Sequence, residues 1–166
     1  MKYESSKNLR GYFFSNMYLS DKQHGIQTAH TVAVMGSRYG RRPDGCSERD
    51  MYYQYVDHGL TKIVLNGGYQ STLQKVYEIL ETVCPKLGLP YARFYEEKDA
   101  LNGALTNVGV ILPEEIYEYD KFHGNTVVLP RVYRPLETLL YAGTVSESAL
   151  VHATILFELV KQFKLA

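Results

Sequence analysis

The sequence predicts an α/β fold: a single domain, a mixed central sheet of about four strands flanked by helices, and an added C-terminal helix. Three observations predict it. Short aromatic or β-branched runs alternate with stretches of helical periodicity, the pattern of a sheet covered by helices. Glycine, asparagine and proline punctuate most of the junctions. The chain has 166 residues, the size of one ordinary domain, enough to bury a core without disulfides or a structural metal.

The aromatic, turn-bounded stretch Gly11–Leu19 reads as a first strand. Ser20 or Asp21 can cap the helix that follows from Lys22 and fades around Gly36–Gly40. Its apolar face is expected to carry Ile26, Ala29, Ala33 and Val34, with His30 beside them. A polar loop with Arg38, Arg41 and Arg42 leads to a short Tyr-rich helix over Asp50–His58, ended by Gly59. Leu60–Leu65 is a second strand, closed by the turn Asn66-Gly67-Gly68. A helix capped by Ser71 or Thr72 runs to about Val83, with Pro85 as its stop. Pro90–Tyr95 is a third strand, Glu96–Leu105 a loop, and Thr106–Leu112 a fourth strand ended by Pro113. Glu114–Phe122 reads as a short helix, Asn125–Leu129 as a short strand or arm, and Pro130 to Pro135 as a linker. Ser146 or Ser148 can cap a last helix reaching about Phe163. That helix is apolar on more than one face, so it is either well buried or a subunit interface. Residues 1–123 are read as the core and 124–166 as an extension carrying this helix.

Lys plus Arg and Asp plus Glu each number 18, so the formal net charge is zero. That balance argues against a non-specific nucleic-acid binder, whose domain is usually basic. No apolar run reaches the roughly 18 residues of a membrane span, and the polar start predicts no secretory signal. A cytoplasmic protein without membrane contact is therefore expected. Such a compartment keeps Cys46 and Cys84 reduced. Neither belongs to a Cys/His cluster, so no metal and no cofactor are predicted. The 15 Tyr and absence of Trp supply flat amphipathic surface for core edges, interfaces or base stacking.

Three stretches carry candidate chemistry. Gln27 and His30 share a helix face, and His24 lies near that helix's N-terminus, where free amides and the dipole favour phosphate. Asn66, Gly67 and Gly68 join a strand to a helix and can bring backbone amides against an anion, although no Walker sequence follows. The loop before the fourth strand holds Glu96, Glu97, Asp99, Asn102 and Thr106. An Asp and a Thr there can orient a water or bind a ribose hydroxyl.

Together these elements resemble the type 2 peptidyl-tRNA hydrolase fold, the archaeal and eukaryotic kind. The family opens its first helix with a Gly-Lys-x-x-x-Gln-x-x-His-Ala pattern; here Gln27 and His30 match in register. The strand Lys62–Leu65, the helix Leu73–Val83, the turn Gly88-Leu89-Pro90 and the strand Tyr91–Tyr95 follow in the family's order. Asp99 and Thr106 sit in comparable places before Val108–Leu112. The chain departs from the pattern in three ways. The family's catalytic lysine aligns with Gln23, with Lys22 one place early. Ala100-Leu101-Asn102-Gly103 replaces the usual Gly-Arg-Thr-Gln. The stretch from Asn125 onward has no counterpart. The chain also resembles small bacteriophage-encoded proteins.

Two functions follow as expectations. The first is a non-catalytic binder of a nucleotide or similar phosphorylated small molecule, sequestering a signalling nucleotide as a phage anti-defence protein would. His24, Gln27, His30, Asn66, Gly67, Gly68, Asp99, Asn102 and Thr106 would line its site. Arg38, Arg41 and Arg42 would contact phosphate, and the last helix would form a homo-oligomer. The alternative is an active peptidyl-tRNA hydrolase or related esterase. Asp99 and Thr106 would then position water, Lys22 or His24 would replace the missing lysine, and tRNA would be the partner.

Overall fold

The computed structural model describes residues 8–124 and 135–166. Four strands, β1 (Arg10–Ser15), β2 (Lys62–Asn66), β3 (Tyr91–Tyr95) and β4 (Leu105–Leu112), form one mixed sheet in the order β2-β1-β4-β3. β1 pairs parallel to β2 and antiparallel to β4, and β3 pairs antiparallel to β4. The carboxyl ends of β1, β2 and β3 and the amino end of β4 therefore meet at one end of the sheet. The helices among the described residues are α1 (Asp21–Tyr39), α2 (Ser47–His58), α3 (Gln70–Leu87), α4 (Lys98–Leu101), α5 (Glu114–Tyr117), α6 (Tyr119–His123), α7 (Leu136–Val145) and α8 (Ala149–Lys161). None is long and apolar enough to cross a membrane.

The two faces of the sheet follow from strand alternation. Phe13 and Ser15 pair with Gly109 and Asn107 on the face where α1 lies, its Thr31 hydroxyl donating to Asn107. Tyr12 and Phe14 point the other way, where Tyr12 packs on Tyr117 of α5 and Phe14 meets Phe163 edge-on. α3, α7 and α8 pack on one another. Ile155, Leu156 and Leu159 of α8 are fully buried, each contributing about 1.5–3 kcal/mol by leaving water. Most of the apolar surplus of the last helix is thus covered within the chain, with Leu150 left exposed. It no longer supplies a reason to expect an oligomer through that helix.

The structure differs from the sequence expectation at several elements. β1 ends at Ser15 rather than Leu19, because Asn16 turns the chain: its side chain accepts from the Tyr18 amide and donates to the Leu105 carbonyl. Pro85 does not stop α3. It stands in the last turn, where only one ladder bond is lost, and the helix ends at Gly88 in the left-handed conformation (φ 67°). The expected helix Glu114–Phe122 is two short helices broken at Glu118. The stretch after Pro135 is helical as α7. Asn125–Leu129 and Pro130 lie outside the described residues.

The largest correction concerns α1. Ile26, Ala29 and Ala33 are exposed, and the helix instead buries Gln27, Thr28, Thr31, Met35 and Tyr39. Its first half lays a polar row on the sheet because the strand residues beneath are themselves polar.

Candidate functional site

Buried polar side chains are uncommon and informative. Those buried in this protein are Ser15, Asn16, Gln27, Thr28, Thr31, Thr106, Asn107, His152 and Thr154 among the described residues. All but the last two form one seam between the first half of α1 and the site end of the sheet. Asn107 accepts from the Thr31 hydroxyl at 2.7 Å and donates to the Thr28 hydroxyl at 3.3 Å. Thr106 reaches the same side through a β-bulge. Pairing passes from Phe94–Asn107 to Tyr95–Leu105, which leaves Thr106 as the extra residue and re-aims its side chain. Its hydroxyl lies within hydrogen-bonding distance of Gln27 Oε1 (3.1 Å) and the Phe94 carbonyl (3.4 Å). Gln27 Nε2 in turn donates to Glu96 Oε2 at 2.6 Å, so the Gln27 amide is held at both ends.

The seam opens to the surface at two titratable groups. Glu96 is half-buried and also accepts from the Glu97 amide. His24 is half-buried, and its Nδ1 shares a 2.6 Å hydrogen bond with the Oγ of fully buried Ser15. Nε2 of His24 has no partner among the described residues. With Ser15 donating, Nε2 carries the proton and is a donor; with Nδ1 donating, Nε2 is an acceptor.

The turn after β2 is tied to the same place. The Gly67 amide donates to the Ser15 carbonyl, and the Met17 amide donates to the Gly68 carbonyl. The Gly68 amide donates to Asn66 Oδ1. A side chain at position 67 would overlap Leu73 and the Phe14 backbone, and position 68 has φ +73°, so both positions require glycine. The two glycine amides are therefore spent within the fold. The free donors come one step later: α3 begins without a side-chain cap or an acidic residue in its first turn, and the Gln70 and Ser71 amides have no acceptor among the described residues. α1 is the opposite case. Ser20 and Gln23 close its N-terminus as a capping box, and Asp21 stands in its first turn. α4, the third helix to start at this pole, follows Glu97 and carries Asp99 in its first turn, so α3 is the one open to an anion.

The residues singled out in the sequence thus separate. His24, Gln27, Asn66, Gly67, Gly68 and Thr106 come together at one end of the sheet. His30 does not join them: it is exposed and stacks on Phe94 at 4.7 Å. Asp99 and Asn102 are exposed on and just after α4, and Asp99 bonds to neither Thr106 nor His24. Lys22 is exposed, and Gln23, at the family's lysine position, is engaged in the α1 cap. Arg38 and Arg42 lie at the far end of α1, 14 residues or more past His24, about 21 Å along the axis. Arg38 donates to the Tyr91 hydroxyl, and Arg42 pairs with Glu48; Arg41 is exposed beside them.

Sequence reasoning missed Ser15, Asn16, Thr28, Thr31 and Asn107 as site residues. A signal existed for three of them. Ser15 and Asn16 are polar immediately after an aromatic run, and Asn107 is an amide inside an otherwise apolar strand. Reading the first strand through to Leu19 hid the first two. No protein-family model matches the chain, and no curated protein matches it.

Proposed function

We propose that this protein binds a nucleotide or similar phosphorylated small molecule at the end of the sheet where the seam emerges, and does not transform it. One observation carries this reading. Seven buried polar side chains line this one end of the sheet, and one of them, Ser15, fixes the His24 imidazole through Nδ1 and leaves Nε2 without a partner among the described residues. In this arrangement the α3 amides and His24 Nε2 receive a phosphate. Glu96, held by Gln27, accepts from a ribose hydroxyl, the role the sequence suggested for Asp99. The charged residues on the elements at this end are mixed in sign, Asp21, Glu96, Glu97 and Asp99 with Lys22, Lys98 and Lys164, so a phosphate here is held by amides and His24 and not by a basic cluster. Sequestering a signalling nucleotide is the biological role that fits a binder without turnover. The likeness to the peptidyl-tRNA hydrolase fold belongs to the same proposal, with Gln27 as the matched residue at the site.

The test is an NMR titration with phosphorylated nucleosides, with the ligand recovered afterwards. Amide shifts confined to Ser15–Tyr18, His24, Gln27, Gly67–Ser71, Glu96 and Thr106, with ligand recovered intact, are the expected result. Shifts elsewhere, or none, contradict it.

A second reading, the hydrolase or related esterase, is favoured by the Ser15–His24 hydrogen bond, because a ring fixed at one nitrogen is how a general base is oriented. It is disfavoured by the exposed positions of Lys22 and Asp99 and by the distance to the arginines. Release of free peptide from peptidyl-tRNA, lost in His24→Ala, would establish it in place of the first.

A further inference from the structure

We propose that Tyr18 and Tyr69 form a stacking platform for a planar heteroaromatic ring, the base of a nucleotide whose phosphate and ribose occupy the neighbouring seam. This inference rests on the binding reading above and identifies its ligand as a base-bearing one.

The two rings come from different loops. Tyr18 lies between β1 and α1, and Tyr69 is the N-cap residue of α3. Their centroids are 5.5 Å apart with planes tilted by 57°. Tyr18 is 77% and Tyr69 53% exposed, so the pair leaves large aromatic faces in water. The backbone beneath them is pinned. The Met17 amide bonds to Gly68 O at 2.9 Å across the two loops. The Tyr18 amide is held by Asn16, the Gly68 amide by Asn66, and the Asn66 amide by the Lys164 carbonyl. Rings on a fixed backbone lose little freedom when a ligand arrives, which is what favours binding.

The platform is close to the seam. Tyr18 is three residues beyond Ser15, so its Cα lies within about 11 Å of that residue. Tyr69 is two residues beyond Gly67, whose amide bonds Ser15. The surroundings select a small ligand over a protein. Ser20, Asp21, Asn66, Gln70 and Ser71, close to the rings in sequence, are polar and exposed, and Met17 and Leu165 are the exposed apolar side chains on the same loops and tail. A stable protein interface needs roughly 800 Å² per partner, far more than two rings with Met17 and Leu165 beside them. Each base stacked on an aromatic side chain is worth about 1–3 kcal/mol.

The experiment is an NMR titration of the wild-type chain and of Tyr18→Ala, Tyr69→Ala and Tyr18→Phe. The probes are ribonucleoside 5′-monophosphates, the matching nucleosides, ribose 5-phosphate and inorganic phosphate. Ring-current shifts of the Tyr18 and Tyr69 protons are expected with at least one nucleotide. Each alanine variant should weaken that nucleotide by roughly five-fold to hundred-fold, while Tyr18→Phe keeps its affinity. Ribose 5-phosphate should resemble the nucleotide binding to the alanine variants. If ribose 5-phosphate binds the wild type as tightly as the nucleotide, the platform is overturned and the phosphate site stands. If nucleosides shift both rings and phosphate adds nothing, the platform stands and the phosphate reading fails. No ring shift with any probe overturns the platform. So does self-association without probe that Tyr18→Ala abolishes, since the rings then serve a contact between copies.

Discussion

At the scale of single residues, Asn107 shows why the seam is there. It supplies both the acceptor for Thr31 and the donor for Thr28, deep in a strand that is buried throughout. Replacing one partner leaves the other unsatisfied in a dry interior, which costs more than removing both. Asn107→Leu is expected to lower stability by about 1–3 kcal/mol. Adding Thr31→Val to it should recover part of that loss, measured by urea unfolding of the two variants. His24→Ala should behave differently. The ring is half-exposed and contributes little packing, so the melting temperature should stay within a few degrees. Affinity for a phosphorylated ligand should fall ten-fold or more, the effect of losing a hydrogen bond to a charged group. Equal losses of stability and binding would assign His24 to the scaffold alone. At this scale the sequence was legible where chemistry is local. Gln27 and His24 stand out from their helix register. Asp99 and Asn102 were misleading, because their loop forms α4 and turns them to solvent.

At the scale of elements, the number and approximate positions of the strands were readable because each strand is short, apolar and turn-bounded, whereas the order β2-β1-β4-β3 was not, since it is set by long-range pairing. Nor was the internal direction of α1. Periodicity assigns the apolar side of a helix to the core, but here the strand ends under α1 carry Ser15, Thr106 and Asn107, and polar residues match polar residues. The bulge at Phe94/Tyr95, which re-aims Thr106, has no short-range signature. The chain's last residues are another element that only tertiary structure reveals. Leu165 forms an antiparallel bridge with Leu65, the Asn66 amide donates to Lys164 O, and the Ala166 amide donates to Val64 O. The tail therefore covers the outer edge of β2 and holds the turn that carries Asn66, Gly67 and Gly68. Deleting Lys164–Ala166 should accelerate hydrogen exchange at the Val64–Asn66 amides and weaken ligand binding, while leaving α1 protection unchanged. Unchanged exchange at Asn66 would show that the tail does not hold the turn.

At the scale of the whole molecule, the protein has two unlike ends. One carries the seam and the exposed Tyr18–Tyr69 pair. The other packs arginines against tyrosines, with Arg38 over Tyr91 and Arg42 over Tyr39. The tyrosine excess read from composition divides accordingly into buried phenols and exposed rings. Burial raises the pKa of Tyr39 and Tyr55 well above the ordinary phenol value. Their folded forms hold a proton that the unfolded chain releases at about pH 10. The stability they contribute is complete below that pH and is lost as pH rises through their folded values. Unfolding midpoints should thus be flat through neutrality and fall from about pH 10 upward. A fraction of the phenolate absorbance should appear only together with unfolding. Complete phenol titration in the folded chain would contradict the burial of these rings.

Native mass spectrometry of protein purified from cells, before and after denaturation, decides whether the chain holds a nucleotide-like ligand without turning it over. The expected result is a retained small molecule that is released intact on denaturation and carries both a phosphate and a base. A bare chain that also fails to take up any phosphorylated nucleoside, or a ligand recovered in cleaved form, would contradict it.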